Sequence, residues 1–213
     1  YILRDKIKRR SNMVITNKLG ITDSPTLARE EERISKKSAA RLFEQNLLNK
    51  MSSGTWTTLQ DIHKVLFQDI YDFAGELRTV NISKGNFRFV PVMYLSEAVK
   101  TIESMPQNSF DEIVEKYVEM NVAHPFREGN GRSMRLWLDH MLCVELQKTI
   151  DWSQIDMETY LSAMERSPVN DLEIKAVLAE ALTDDINNRE LFMKGLDYSY
   201  YFEGYQLFKS EEL

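Results

Sequence analysis

Residues 124–135 read His-Pro-Phe-Arg-Glu-Gly-Asn-Gly-Arg-Ser-Met-Arg. His124 is a group that can take a proton near neutral pH. Glu128 offers the oxygen that a hard cation such as Mg²⁺ prefers. Gly129 and Gly131 carry no Cβ, so the backbone there can approach an anion closely. A run with helical periodicity follows at once, from Ser133 to Gln147. The glycines therefore fall at a helix N-terminus, where free N–H groups and the macrodipole attract phosphate. Arg132 and Arg135, three apart, share a face of that helix, and two guanidinium forks on one face suit successive phosphates. Asn130 can hydrogen-bond and orient the loop. A loop histidine, a Gly-Asn-Gly turn or a solvated arginine pair is each ordinary alone. Their conjunction in this order points to chemistry on a phosphate chain, with a base beside it.

The stretch resembles the signature of the Fic family, H-x-F-x-[D/E]-G-N-G-R-x-x-R, without gap or substitution. That resemblance implies a mainly α Fic fold: a helical bundle with a short β-hairpin flap over the active site. It implies an enzyme that moves AMP from ATP to a hydroxyl of a target protein (AMPylation) with Mg²⁺, Mn²⁺ or Ca²⁺ being the other metals considered. By the same resemblance His124 is the base, Glu128 the metal ligand, and Gly129, Asn130 and Gly131 the anion hole. Arg132 then meets the β-phosphate and Arg135 the γ-phosphate.

Two further stretches carry the resemblance. In residues 78–90, Val80 and Ile82, then Phe87 and Phe89, alternate with polar residues around Lys84-Gly85-Asn86, the pattern of a β-hairpin. Its open edge can accept a partner strand. Ile82, Ser83, Lys84 and Gly85 resemble the family's flap, which holds the target's side chain over the nucleotide. Near the end, Ser199-x-x-x-Glu203-Gly204 resembles the Fic inhibitory motif [S/T]-x-x-x-E-[G/N]. Its place after the core implies a compact bacterial member with a C-terminal inhibitory helix. Glu203 then pairs with Arg135 and bars productive ATP. The same glutamate implies an alternative, a bifunctional or dedicated deAMPylase that hydrolyses AMP from the target. Tyr198, Tyr200, Tyr201 and Tyr205 lie beside a hydroxyl-modifying site, so self-AMPylation is expected, and the class implies self-association. Asn170, in the turn Ser167-Pro168-Val169-Asn170-Asp171, is carried over as a nucleotide contact.

The elements that must position these groups are mostly helical. An amphipathic helix follows Pro25 and the charged run 29–37 and extends to about Leu48. A second runs from near Thr58 to Gly75, with His63 a structural residue beside its stripe. A third covers Tyr94 to Met105. Ser109 and Glu112 form a capping box for the helix that delivers the chain to His124, and Pro125 breaks it. The helix after the motif is apolar on more than one face and should cross the core; His140, further along it, is structural. Helices over 156–165 and 172–182 follow, the latter capped by Asp171. The hairpin is the one strand pair expected.

With 213 residues, 43% of them hydrophobic, the chain suits one domain with a sizeable core. A net charge of −6 disfavours broad nucleic-acid binding. A single cysteine, Cys143, excludes an internal disulfide and fits the cytoplasm; it reads as a buried thiol. No apolar run is long enough to span a membrane. The domain reading is a leader over 1–12 with Met13 the native start, a Fic domain over 13–196, the inhibitory motif over 197–205 and a tail over 206–213. Three other rivals are weaker. A kinase-like Doc relative has lysine at the second glycine, where this chain has Gly131. A zinc hydrolase on His124 and Glu128 lacks a third ligand. A non-enzymatic helical module leaves the base, anion loop and arginines unexplained.

Overall fold

The computed structural model describes residues 14–85 and 87–213; the expected leader lies outside them. Helix α1 (Ser24–Glu44) starts where the Asp23 carboxylate accepts from Thr26 N–H, with Pro25 in its first turn. Helix α2 (Trp56–Phe67) is capped by Thr55. It stops at Phe67, short of the expected Gly75. Ile70 and Tyr71 continue into the core through turns, and the Gly75 N–H turns back to His63. Gly75 has φ +82°, so it closes that turn instead of a helix.

Strands β1 (Ser83–Lys84) and β2 (Phe87–Arg88) pair antiparallel, Ser83 with Arg88 and Lys84 with Phe87. The hairpin is shorter than the alternation predicts, because both strands are exposed and no second layer extends them. Helices α3 (Val92–Glu103) and α4 (Phe110–Ala123) follow; the Ser109–Glu112 capping box is present in full. Helix α5 (Asn130–Leu146) packs against α2 and α4 and touches the last helix. It buries Met134, Trp137, Leu138, Met141 and Leu142, so it does cross the core. Cys143 is only half-buried.

A second strand pair went unpredicted: β3 (Thr149–Ile150) with β4 (Leu182–Thr183). Two-residue strands carry no period to read. Helices α6 (Met157–Arg166) and α7 (Leu172–Glu180) lie between them. The last helix, α8 (Arg189–Tyr201), is capped by Asn188 and packs on α1 and α5. After a turn over 202–204 the tail returns along α1. There Leu207 and Phe208 N–H donate to Glu32, and Lys36 Nζ donates to Phe208 O. Among the described residues, no helix is long and apolar enough to cross a membrane.

Candidate functional site

His124 stands at the C-cap of α4. Pro125 denies the preceding residue a right-handed helical geometry, and His124 takes φ +50° instead. Its Nδ1 lies 3.3 Å from Asn121 O. That contact assigns the proton to Nδ1 and leaves the Nε2 lone pair outward. The ring stacks on Phe89, centroids 3.8 Å apart. Burial pushes the imidazole down to about 4, so it is neutral at pH 7 and able to accept a proton.

Asn130 closes the loop that follows. Its Oδ1 accepts from Phe126 N–H (2.9 Å) and its Nδ2 donates to Phe126 O (2.7 Å). Gly129 has φ +77°, and a Cβ there would strike the Phe67 ring. His63, expected as a structural residue beside the apolar stripe of α2, is fully buried and supports this loop. Its Nδ1 accepts from Gly75 N–H (2.9 Å), which leaves Nε2–H to donate to Glu128 O (2.9 Å). The ring stacks on Phe126 at 3.8 Å. The Glu128 carboxylate lies 3.4 Å from Arg132 Nη2 and accepts from Gly129 N–H.

Both arginines are buried at the start of α5. Arg132, 2% exposed, has Nη1 2.8 Å from Glu31 Oε1, and its guanidinium lies over the Phe67 and Tyr205 rings at 4.8 and 4.7 Å. Its Nε has no hydrogen-bond partner among the described residues. Arg135 donates from Nε to Ser199 Oγ (2.7 Å) and from Nη2 to Ser199 O (2.7 Å) and Glu203 Oε1 (3.0 Å). Burial raises the Glu203 carboxyl, but Arg135, Lys84 and Arg132 outweigh it and hold it at about 2. A Cβ at Gly131 would collide with Glu203 Oε1. The head of α5 thus already receives an anion, the chain's own carboxylate.

Lys84 on the flap is near enough for its charge to act on both His124 and Glu203. The flap residues Ser83, Lys84 and Gly85 are exposed and Ile82 half-buried. Asn170 is exposed, and its Oδ1 accepts from Leu172 N–H at the start of α7; no hydrogen bond joins it to the 124–135 loop among the described residues. His140 is buried with a ring nitrogen 3.0 Å from Leu48 O.

Two contributors escaped the sequence reading. Glu31 sits in a charged run that looks solvated. Yet Leu27, Glu31, Ser35, Ala39 and Leu42 follow one helical stripe, and all are buried. A charge on a core stripe was the available signal. Tyr71 and Tyr205 hydroxyls both donate to the Glu31 carboxylate. Arg78, also buried, had no periodic context to mark it.

Residues 55–142 match the model of the Fic/DOC family. The chain is 28% identical over 183 residues to a probable protein adenylyltransferase Fic of Salmonella typhimurium, covering 80% of this chain and 88% of that one. It is 30% identical over 192 residues to the protein adenylyltransferase VbhT of Bartonella schoenbuchensis, covering 84% of this chain but 39% of that protein. Among solved structures, it superposes on the N-terminal Fic domain of a Bartonella quintana cell filamentation protein with bound ADP. The TM-score is 0.68 at 19% identity, over 82% of this chain and 92% of that one. BepC of Bartonella tribocorum with bound AMPPNP gives a TM-score of 0.66 at 18% identity, over 82% and 94%. At these identities the likeness is one of fold.

Proposed function

The chain belongs to the Fic/DOC family, whose model it matches over residues 55–142, and from that premise we propose that it is a protein adenylyltransferase held inactive by Glu203. The observation that carries this reading is the anion at the head of α5: Glu203 sits over Gly131 and on Arg135. A guanidinium that donates to a carboxylate, beside a glycine whose missing Cβ leaves room for it, can receive a phosphate in the same way. The relatives named adenylyltransferases support AMP as the group moved.

In this reading a target hydroxyl, held by the edge of the flap at Ile82 to Gly85, faces His124. The hydroxyl oxygen bonds to the α-phosphorus of ATP as the bond to pyrophosphate breaks. The proton goes to Nε2 of His124, whose Nδ1–H is fixed on Asn121 O. Arg132 and Arg135 hold the β- and γ-phosphates, and the backbone of Gly129, Asn130 and Gly131 faces the anion. Glu128 fits as the ligand of Mg²⁺: its partly exposed carboxylate stands beside Gly129 N–H and Arg132 at the head of α5, and Mg²⁺ beside phosphates commonly takes one carboxylate, phosphate oxygens and water. When bound, the ion neutralises charge on the phosphates. Mn²⁺ or Ca²⁺ would use the same carboxylate.

Glu203 inhibits by competing for Arg135, a class with a C-terminal inhibitory helix. A second reading, hydrolytic removal of AMP, has one observation in its favour. The ionised Glu203 carboxylate is near enough for its charge to act on His124, opposing the larger effect of burial, so two groups able to orient a water share one site. The domain layout, Asn170 at the nucleotide, self-association and a cytoplasmic setting complete the proposal. It is tested with ATP labelled on the α-phosphate. Label on protein, absent in His124→Ala, is expected; label from the γ-phosphate instead would make the chain a kinase.

A further inference from the structure

Arg78 is 3% exposed and uses its guanidinium on four carbonyl oxygens. Nε donates to His124 O (2.8 Å), Nη1 to Val80 O (2.9 Å), and Nη2 to Val90 O and to Ala123 O (3.1 Å). Among the described residues no carboxylate lies within ion-pair distance of it. Burial lowers its proton affinity, though a guanidinium keeps its charge in proteins. The four carbonyls belong to two places. Ala123 and His124 are the end of α4, where the helix dipole is negative and a cation is favoured. Val80 and Val90 are the two feet of the flap. The Arg78 N–H also donates to Pro125 O (2.8 Å), and Val90 N–H to Val122 O (3.3 Å).

The consequences for His124 are direct. It is a non-glycine residue at φ +50°, a conformation that persists only where its surroundings over-determine it. Pro125 excludes the helical alternative, and the Arg78 Nε bond to the His124 carbonyl oxygen holds that peptide in place. Phe89, one residue before Val90, stacks on its ring. One guanidinium therefore fixes the base and the edge that would present the target to it.

We propose that Arg78 is a positioning residue that sets the distance between the flap and His124. The inference rests on the adenylyltransferase reading for its catalytic meaning, and its geometry is testable without activity. Lysine keeps the charge but has a single nitrogen, so it cannot span four carbonyls in the plane of a fork. Misplacement of a reacting group by about 1 Å costs on the order of 100-fold in rate.

The test compares Arg78→Lys with its parent, both carrying Glu203→Gly. The primary readouts are amide hydrogen exchange and the NMR titration of His124. Expected are exchange at 80–90 accelerated by about 10-fold or more and a His124 titration moved up toward ordinary imidazole, with α1 and α5 exchanging as before. Mg·ATP binding by calorimetry stays within about twofold, because Arg78 is not among the groups assigned to phosphate. AMP transfer to protein falls by about 10–100-fold. Unchanged flap exchange and His124 titration overturn the proposal, as does faster exchange spread evenly over the helices. A parent that binds ATP but transfers no AMP contradicts the adenylyltransferase reading alone; the exchange and titration still decide whether Arg78 couples flap to histidine.

Discussion

Arg135 Nη2 and Glu203 Oε1 stand 3.0 Å apart across 68 positions of sequence. Ser199, one turn earlier on α8, accepts from Nε with its hydroxyl and from Nη2 with its carbonyl oxygen. The arginine is 3% exposed at its side chain and the glutamate 31%. The pair thus has one buried partner and one at the rim, and in the proposed function the site opens when the carboxylate moves.

Ser199→Ala removes the Nε acceptor but leaves Glu203 on Nη2. We expect partial release: AMP transfer above wild type and below Glu203→Gly. A single hydrogen bond to a charged group contributes about 1.5–3 kcal/mol, part of which the backbone carbonyl of Ser199 retains. Equal rates for Ser199→Ala and wild type, measured as initial label incorporation, would contradict this.

The pH dependence follows from two depressed groups. His124 titrates at about 4, so it is a competent neutral base above that value and is lost as pH falls through it. In Glu203→Gly, transfer should stay level from about pH 6 to 8 and drop below about pH 5. Glu203 is held at about 2. Its folded value is below the unfolded one, so its pairing stabilises the fold above the ordinary carboxylate range and fades as pH falls toward 2. Acid above pH 4 therefore should not relieve inhibition. A wild-type rate that rises between pH 6 and 5 would refute that.

Glu31→Gln keeps shape and removes the charge facing Arg132. Breaking one partner of a buried pair costs about 3–5 kcal/mol. The substitution also weakens the acceptor of Tyr205, which lies two residues after Glu203. Limited proteolysis should cut the 204–213 tail faster than in wild type, while thermal melting falls. An unchanged cleavage rate would show that Glu31 does not hold the tail.

Gly129→Ala places a methyl against the Phe67 ring at a backbone with φ +77°. Strain and overpacking together should cost about 2–4 kcal/mol, and calorimetry should read a fall of about 5–15 °C in Tm. A melting point within 2 °C of wild type, by the same scale, would mean that the loop shifts without cost.

Any self-AMPylation should sort by accessibility. Tyr198 and Tyr201 are exposed, whereas Tyr200 is buried with its hydroxyl on Ser35 and Tyr205 donates to Glu31. While α8 is docked, peptide mass spectrometry should find AMP on Tyr198 or Tyr201. AMP on Tyr200 would mean that α8 leaves α1 during the reaction.

Much of this was legible because the residues proposed to meet phosphate lie within twelve positions, and spacing alone puts Gly129 to Arg135 on one helix end. The capping box and the apolar faces of α4 and α5 were likewise local. What stayed hidden is long-range. Glu31 meets Arg132 from 101 positions away, and Arg78 meets His124 from 46; neither separation leaves a period. The early end of α2 was missed because Ile70 and Tyr71 keep their apolar character after the helix has stopped. The pair β3–β4 is too short to alternate.

In the proposed function, Glu203 gates an AMP-transfer site by holding Arg135. The most direct measurement is incorporation of label from α-labelled ATP into protein by wild type, Glu203→Gly and Glu203→Gly with His124→Ala, beside the same set with γ-labelled ATP. Expected are α-label stronger in Glu203→Gly than in wild type, none in the double variant, and no γ-label in any. Equal α-label in wild type and Glu203→Gly at matched ATP would contradict that gating.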